Sequence, residues 1–218
     1  MKKFNHVGNT LTELQTENID GRRFYKTPNG NYQSITTLLS NLSKAGISAW
    51  RKRVGAEEAN RISTKASRQG TAVHALCEQY IKNEEDFLTD SMPHLVEMFE
   101  SIQPLLNRID NVHVTEGALY SDELQLAGRT DLIAEFDEQL AIIDYKTSRR
   151  IKTWEMCASY FMQGAFYAHA YEERTGIPIN NIVIIMAVEN EEPLLFRETK
   201  DRWLEPLQQV INIYKDFV

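Results

Sequence analysis

Cysteine is the first scarcity: the 218 residues hold two, Cys77 and Cys157. Two thiols cannot build a disulfide scaffold, an Fe–S cluster or a four-cysteine zinc site, and they fit two reduced side chains in a cytoplasmic protein. No run of 18 apolar residues occurs, so no membrane span is expected. The opening MKKFNHVGNT has two lysines but no apolar stretch behind them, which argues against a secretory signal. There is no G-x-x-x-x-G-K-[ST], hence no phosphate-cradling loop of an NTP-driven motor. Repeats, linkers and low-complexity tracts are missing too. The expected organisation is a loosely ordered lead-in over residues 1–20 and one domain over 21–218, long enough to bury a sizeable core.

An excess of positive charge is also lacking. The formal net charge is −7, which argues against a protein that coats nucleic acid nonspecifically. The local balance differs. Between Lys44 and Arg68, seven basic residues face two acidic ones, and between Glu84 and Glu100 six acidic residues face none. Lys146, Arg149, Arg150 and Lys152 form a second basic patch. A basic groove on an acidic protein would show this asymmetry, and so would two ordinary solvated helix faces.

The pattern changes character halfway along. Arg22–Lys26 and Tyr32-Gln33, joined through Asn29-Gly30, read as a hairpin. Ser34 can cap a short helix through Leu39. Helical spacing runs from Ser48 to about Ile81, interrupted at Gly55 and at Gly70, where Gly70-Thr71 reads as a fresh start. A further helix is expected over 93–109. From Asn111 onward come three strands (Val112–Glu116, Leu126–Phe136, Leu140–Thr147) in a β-meander. A helix over 154–174, an apolar strand over 182–188, another over 194–198 and a last helix over 203–217 complete the chain. The αβββαβ order describes an α/β fold, a mixed sheet flanked by helices.

Two strands carry acidic groups where a core strand should not. In Gly128-Arg129-Thr130-Asp131-Leu132-Ile133 and Ala141-Ile142-Ile143-Asp144-Tyr145-Lys146, period-2 alternation puts Asp144 and Lys146 on one face. A meander brings Asp131 to the neighbouring strand. Two carboxylates ~4 Å apart repel by ~4 kcal/mol at an effective dielectric of 20. A divalent cation removes that penalty, and oxygen ligands suit Mg²⁺ or Mn²⁺. A lysine beside the pair can orient or deprotonate a water, or neutralise charge developing on phosphate. Glu198-Thr199-Lys200 repeats the acid-x-Lys pattern, but no acidic strand partner and no apolar run ending at the acid precedes it, and it reads as a decoy with Lys200 exposed.

GRTDLI followed by AIIDYKTS resembles the two metal-binding motifs of the PD-(D/E)XK nuclease superfamily, in its RecB-like exonuclease branch. Gly70-Thr71-Ala72-Val73-His74 is similar to the upstream helix whose histidine joins the metal site. Tyr160–Tyr167 is similar to the Q-x-x-x-Y motif after the lysine strand. Ser34–Leu39 and Trp50–Gly55 resemble the N-terminal part of mitochondrial genome maintenance exonucleases and phage-encoded relatives. Together these segments cover about residues 30 to 190.

The resemblance implies a restriction-endonuclease-like core with a helical N-terminal part over 34–109. It further implies Asp131 and Asp144 as metal ligands, with the Tyr145 carbonyl as another, and Lys146 as the catalytic lysine. His74 would be a ligand or would steady one, although it could simply pair with Glu78 one turn later. Glu116 matches an acidic position that often supports the metal, or else is a surface charge. Gln163 and Tyr167, at i and i+4, would line the site or touch DNA, or else pack a helix. Ser34, Thr36, Arg51, Arg53, Arg68 and Ser148 would contact DNA.

The implied activity is Mg²⁺- or Mn²⁺-dependent exonucleolytic cleavage of single-stranded DNA or DNA ends, in replication, repair or recombination. Replication or recombination proteins would be partners, since any unwinding must come from elsewhere, and the setting would be cytoplasmic, or host cytoplasm for a phage protein. A structure-specific or restriction-type endonuclease, or a catalytically silent DNA-end-binding module, are the alternatives. Two departures stand out: Thr130 replaces the proline of the superfamily's name, and the four cysteines of its Fe–S members are missing.

Overall fold

The computed structural model describes residues 2–8 and 11–214 of the chain. The hairpin at Asn29-Gly30 is there, and it belongs to a larger arrangement. Strands β1 (Thr16–Ile19), β2 (Arg22–Thr27) and β3 (Gly30–Ser34) form an antiparallel ribbon. Helix α1 (Ile35–Ser40) follows, then α2 (Lys44–Val54), α3 (Ala56–Ile81) and α4 (Pro93–Leu106). The meander is β4 (Ile109–Ser121), β5 (Leu126–Phe136) and β6 (Gln139–Ser148). Helix α5 (Ala158–Thr175), strands β7 (Asn181–Val188) and β8 (Leu194–Thr199), and helix α6 (Lys200–Tyr214) close the order.

Strand alternation sorts the apolar residues of this sheet into two cores. Ile142, Ile182, Ile184 and Met186 pack with α1, α5 and α6 on one face. Ile143, Tyr145, Val183, Ile185 and Ala187 pack with α3 and α4 on the other. β7 is covered on both faces, which is why it reads as an unbroken apolar run. The sheet runs β1-β2-β3-β5-β6-β7-β8, with β4 on the other edge of β5. β6 and β7 are parallel, because α5 carries the chain across. No helix among the described residues is long and apolar enough to cross a membrane.

Several local expectations are corrected. Thr16–Ile19, placed in a loosely ordered lead-in, is a sheet strand, and Phe4 is buried beside Tyr80. Gly70 starts nothing: α3 runs through it, since burial of Val73, Leu76, Cys77, Tyr80 and Ile81 outweighs the ~1 kcal/mol cost of a mid-helix glycine. Ile109 ends no helix; it is the first residue of β4, opposite Phe136. Ser34 occupies the N-cap of α1, but its hydroxyl pairs with Thr36 Oγ1 at 2.8 Å rather than with the backbone. α6 begins earlier than expected, and the tail of that expected helix, 215–217, lies outside the described residues.

The chain exposes 11716 Å², against ~10,000 Å² for a globular monomer of this mass. Part of the excess lies in α2, which buries none of its residues, and in the first half of α3, where Ala59 is the buried one before Gln69. α2 and the first half of α3, joined at Gly55, are largely exposed and carry the basic stretch.

Candidate active site

Hairpin register decides where the two acidic motif residues meet. β5 and β6 pair from Phe136↔Gln139 back to Leu132↔Ile143 and part there. Asp131 and Asp144, one step further along, flank the fork. Beyond it the freed edge of β5 reaches β3 through Gln33↔Leu126 and Ser34↔Ala127. The intervening gap is filled from α1 and α5: a Cβ on Gly128 would lie 2.8 Å from both Ile35 Cγ2 and Tyr167 Cε1. Glycine at 128 is what lets Tyr167 reach the fork.

Each side of the fork gathers its own groups. Asp131 Oδ2 accepts a hydrogen bond from the Tyr145 main-chain N–H at 2.9 Å and lies 3.4 Å from His74 Nδ1. His74 arrives from α3, its ring edge-on to Tyr145 at 5.8 Å. Glu116 comes from β4, where Thr115↔Leu132 and Gly117↔Thr130 set it opposite Asp131. One donor atom from each of His74, Glu116 and Asp131 lies within 4.8 Å of the others. On the α5 side, Lys146 Nζ sits 2.5 Å from Asp144 Oδ2 and 5.1 Å from the centre of the Tyr160 ring. Lys152 donates to the Tyr160 hydroxyl at 2.7 Å. Gln163 Nε2 donates to the Tyr167 hydroxyl at 3.2 Å.

Burial and like charge leave this site electrostatically strained. Burial is the main reason the Asp144 carboxyl is raised above the ordinary range, with Lys146 pulling it down and Asp131 pushing it up. Burial works against the Lys146 ammonium, but Asp144 and Asp131 more than offset it, and its pKa is raised. Burial, then Asp131, then Glu78 push Glu116 up to about 7. Asp144 Oδ1 is buried with no hydrogen-bond donor, the condition in which a carboxylate oxygen calls for a positive partner. Carboxylate oxygens plus one imidazole are a donor set that fits a divalent cation.

The shift at Glu116 has a measurable consequence. The folded protein keeps that proton to about pH 7, whereas an unfolded chain releases it near ~4.3. Between those values the folded state binds more protons, so metal-free stability falls as pH rises and stays low above 7. A divalent cation held beside Glu116 would remove the penalty. The Tm increase on adding Mg²⁺ should therefore be larger at pH 8 than at pH 5.5, by thermal denaturation at fixed ionic strength. Equal increases at both would contradict the placement of Glu116 in the cation site.

Arg51 and Arg53 lie on α2 and Arg68 on α3, and Arg51 donates to Asn60 at 2.7 Å. Ser34 is buried and linked to exposed Thr36. Ser148 bonds to the Arg150 carbonyl at 2.6 Å, closing the turn after β6. The decoy is explained: half-buried Glu198 accepts from the Trp154 and Trp203 indoles, and Lys200, expected to be exposed, pairs with Glu172, its side chain 14% exposed. Two neighbours of the site were not singled out from sequence, Tyr160 and Arg129. Tyr160 lies three positions before Gln163, the helical spacing that could have marked it.

A model of the PD-(D/E)XK nuclease superfamily matches residues 49–212. Mitochondrial genome maintenance exonuclease 1 of Mus musculus is 26% identical over 110 residues, 49% of this chain and 32% of the mouse protein. The Xenopus tropicalis protein of that name is 25% identical over 134 residues, 58% of this chain and 39% of its own length. The matched segments thus span about a third of these relatives. A crystallised protein from Eubacterium rectale superposes with a TM-score of 0.48 at 14% identity, covering 68% of this chain and 65% of that one.

Proposed function

Since the chain belongs to the PD-(D/E)XK nuclease superfamily, we propose that it is a DNA exonuclease dependent on Mg²⁺ or Mn²⁺, acting on single strands or ends. The observation that carries this reading is the fork between β5 and β6, with His74, Glu116 and Asp131 on one side and Asp144 with Lys146 on the other. Asp131, Asp144, Glu116 and His74 would hold the cation, with the Tyr145 carbonyl beside them. Such a cation supplies Lewis acidity at the phosphoryl oxygen and makes bound water a stronger nucleophile. Lys146 places its ammonium where it can orient the attacking water and offset charge gathering on the phosphate. Tyr160 limits where that ammonium can swing, and Tyr167 with Gln163 walls the fork. Both thiols are free and buried, and a reducing, cytoplasmic setting is part of the proposal. So are replication, repair or recombination as the context and the proteins of those processes as partners.

The direct test is cleavage of 5′- and 3′-labelled single- and double-stranded DNA with Mg²⁺, with Mn²⁺ and with EDTA. Stepwise shortening from one end, abolished by EDTA, is expected. Internal cuts would indicate an endonuclease, and binding without cleavage a silent end-binding module.

Phosphate contacts belong to α2 and the first half of α3, which present the basic stretch on exposed surface. Cation–phosphate contacts release counterions, so affinity should fall steeply with salt. In a cleavage-dead background, neutralising Arg51 and Arg53 together should flatten the log–log salt slope for single-stranded DNA by ~1–2 units. An unchanged slope would make this stretch an ordinary solvated helix face.

A further inference from the structure

Glu116 occupies its place by an unusual backbone route. It is a non-glycine residue at φ +51 in the middle of a strand, a conformation that costs of order 1–3 kcal/mol unless its surroundings enforce it. The β4–β5 register shifts between Asp110 and Val114 but is unbroken from Val114 to Ser121, so the turn at Glu116 is a second, local kink within a paired stretch. The next residue leaves no latitude: a Cβ on Gly117 would lie 2.3 Å from Val114 Cγ1 and 2.8 Å from Leu11 Cδ1. The turned carbonyl of Glu116 accepts a hydrogen bond from the Arg129 guanidinium, reaching over from β5. That guanidinium is in turn gripped by the Glu13 carboxylate, with Nη1 3.2 Å from Oε1 and Nη2 paired to Oε2. Leu11 and Glu13 therefore bear on the same kink from the chain's N-terminal segment.

We propose that Arg129, clamped by Glu13, is a positioning residue that locks the left-handed turn at Glu116 and so directs its carboxylate toward Asp131 and His74. The inference rests on the reading of Glu116 as a cation ligand and extends it to a residue that touches neither cation nor substrate. The planar guanidinium suits the task, because it bonds a carbonyl and both oxygens of a carboxylate at once, which a lysine cannot. It also makes the segment before β2 part of the site's support.

The test is Mn²⁺ binding to the full chain without DNA, read from the free-ion electron paramagnetic resonance signal, beside Tm without metal. Arg129→Gln should weaken Mn²⁺ binding by ~10-fold, in the range for residues that orient a metal ligand. Arg129→Lys should recover part of that loss. Glu13→Ala should weaken binding a few-fold, and its exposed side chain makes misfolding no concern. Wild-type Mn²⁺ affinity in Arg129→Gln, with or without a lowered Tm, would overturn the proposal. If that variant does not fold, wild-type affinity in Glu13→Ala does the same. Glu116→Gln separates the two layers: wild-type affinity there sinks the ligand reading itself, whereas loss there with none in Arg129→Gln sinks only the role of Arg129.

Discussion

Asp131→Asn and Asp144→Asn should each abolish DNA cleavage while leaving a folded protein. Each removes a charge that would hold the cation, and the loss should exceed the ~10–100-fold that follows from disturbing a mere support of a metal ligand. The two variants should differ in stability. An asparagine oxygen at 131 can still accept from the Tyr145 N–H, and losing the charge relieves its repulsion with Glu116 and Asp144. Metal-free Tm should hold or rise. At 144 the charge lost is the partner of Lys146 at 2.5 Å, and a half-buried cation left without its partner is destabilising. Tm should drop by several degrees, at the ~2–4 °C per kcal/mol typical of a chain this long. Cleavage assays in Mg²⁺ beside thermal denaturation decide this. More than about a tenth of wild-type turnover in either variant would remove that residue from the cation site.

The second large effect separates two chemically similar tripeptides. Lys146→Ala should lower turnover by the ~10²–10⁴ typical of removing a proton-handling group. DNA affinity should hardly change, as one phosphate contact among many is lost. Lys200→Ala removes the same charge from the start of α6, where it pairs with Glu172. Its burial makes the substitution cost up to ~1 kcal/mol of stability, visible as a lowered Tm, while cleavage stays near the wild-type rate. The reverse ranking, an inactive but folded Lys200→Ala beside an active Lys146→Ala, would refute the assignment of the site. Equal and mild effects would favour the silent end-binding module.

The reason these tripeptides part company was only half visible beforehand. Ile142-Ile143 directly before Asp144 announces a strand buried on both faces, whereas Arg197 separates the Leu194–Phe196 run from Glu198. Trp203 is five positions from Glu198, but nothing local shows that a second indole occupies Glu198 or that Lys200 is half-buried, because Trp154 and Glu172 come from distant segments. Asp131 facing Asp144 was legible in part, for a different reason. A meander puts their strands side by side, but the expected connector Asp137-Glu138-Gln139 left the register one residue off; the structure turns on Asp137-Glu138 alone, pairs Phe136 with Gln139 and so sets one acid opposite the other.

Local chemistry determined the α/β element order, the meander, the acidic pair with its lysine and the basic stretch of α2 and α3. Period-2 and period-3.6 patterns are written residue by residue, and turn chemistry acts over a few positions. Tertiary structure decided the rest: the fork where β5 leaves β6, the approach of His74 from the opposite core, and the left-handed turn that delivers Glu116. It also drew Thr16–Ile19 into the sheet and set Leu11 and Glu13 against the turn at Glu116. Leu11 and Glu13 are separated from Arg129 by more than a hundred positions, and no periodicity or spacing encodes a contact made between segments that only the folded sheet brings together.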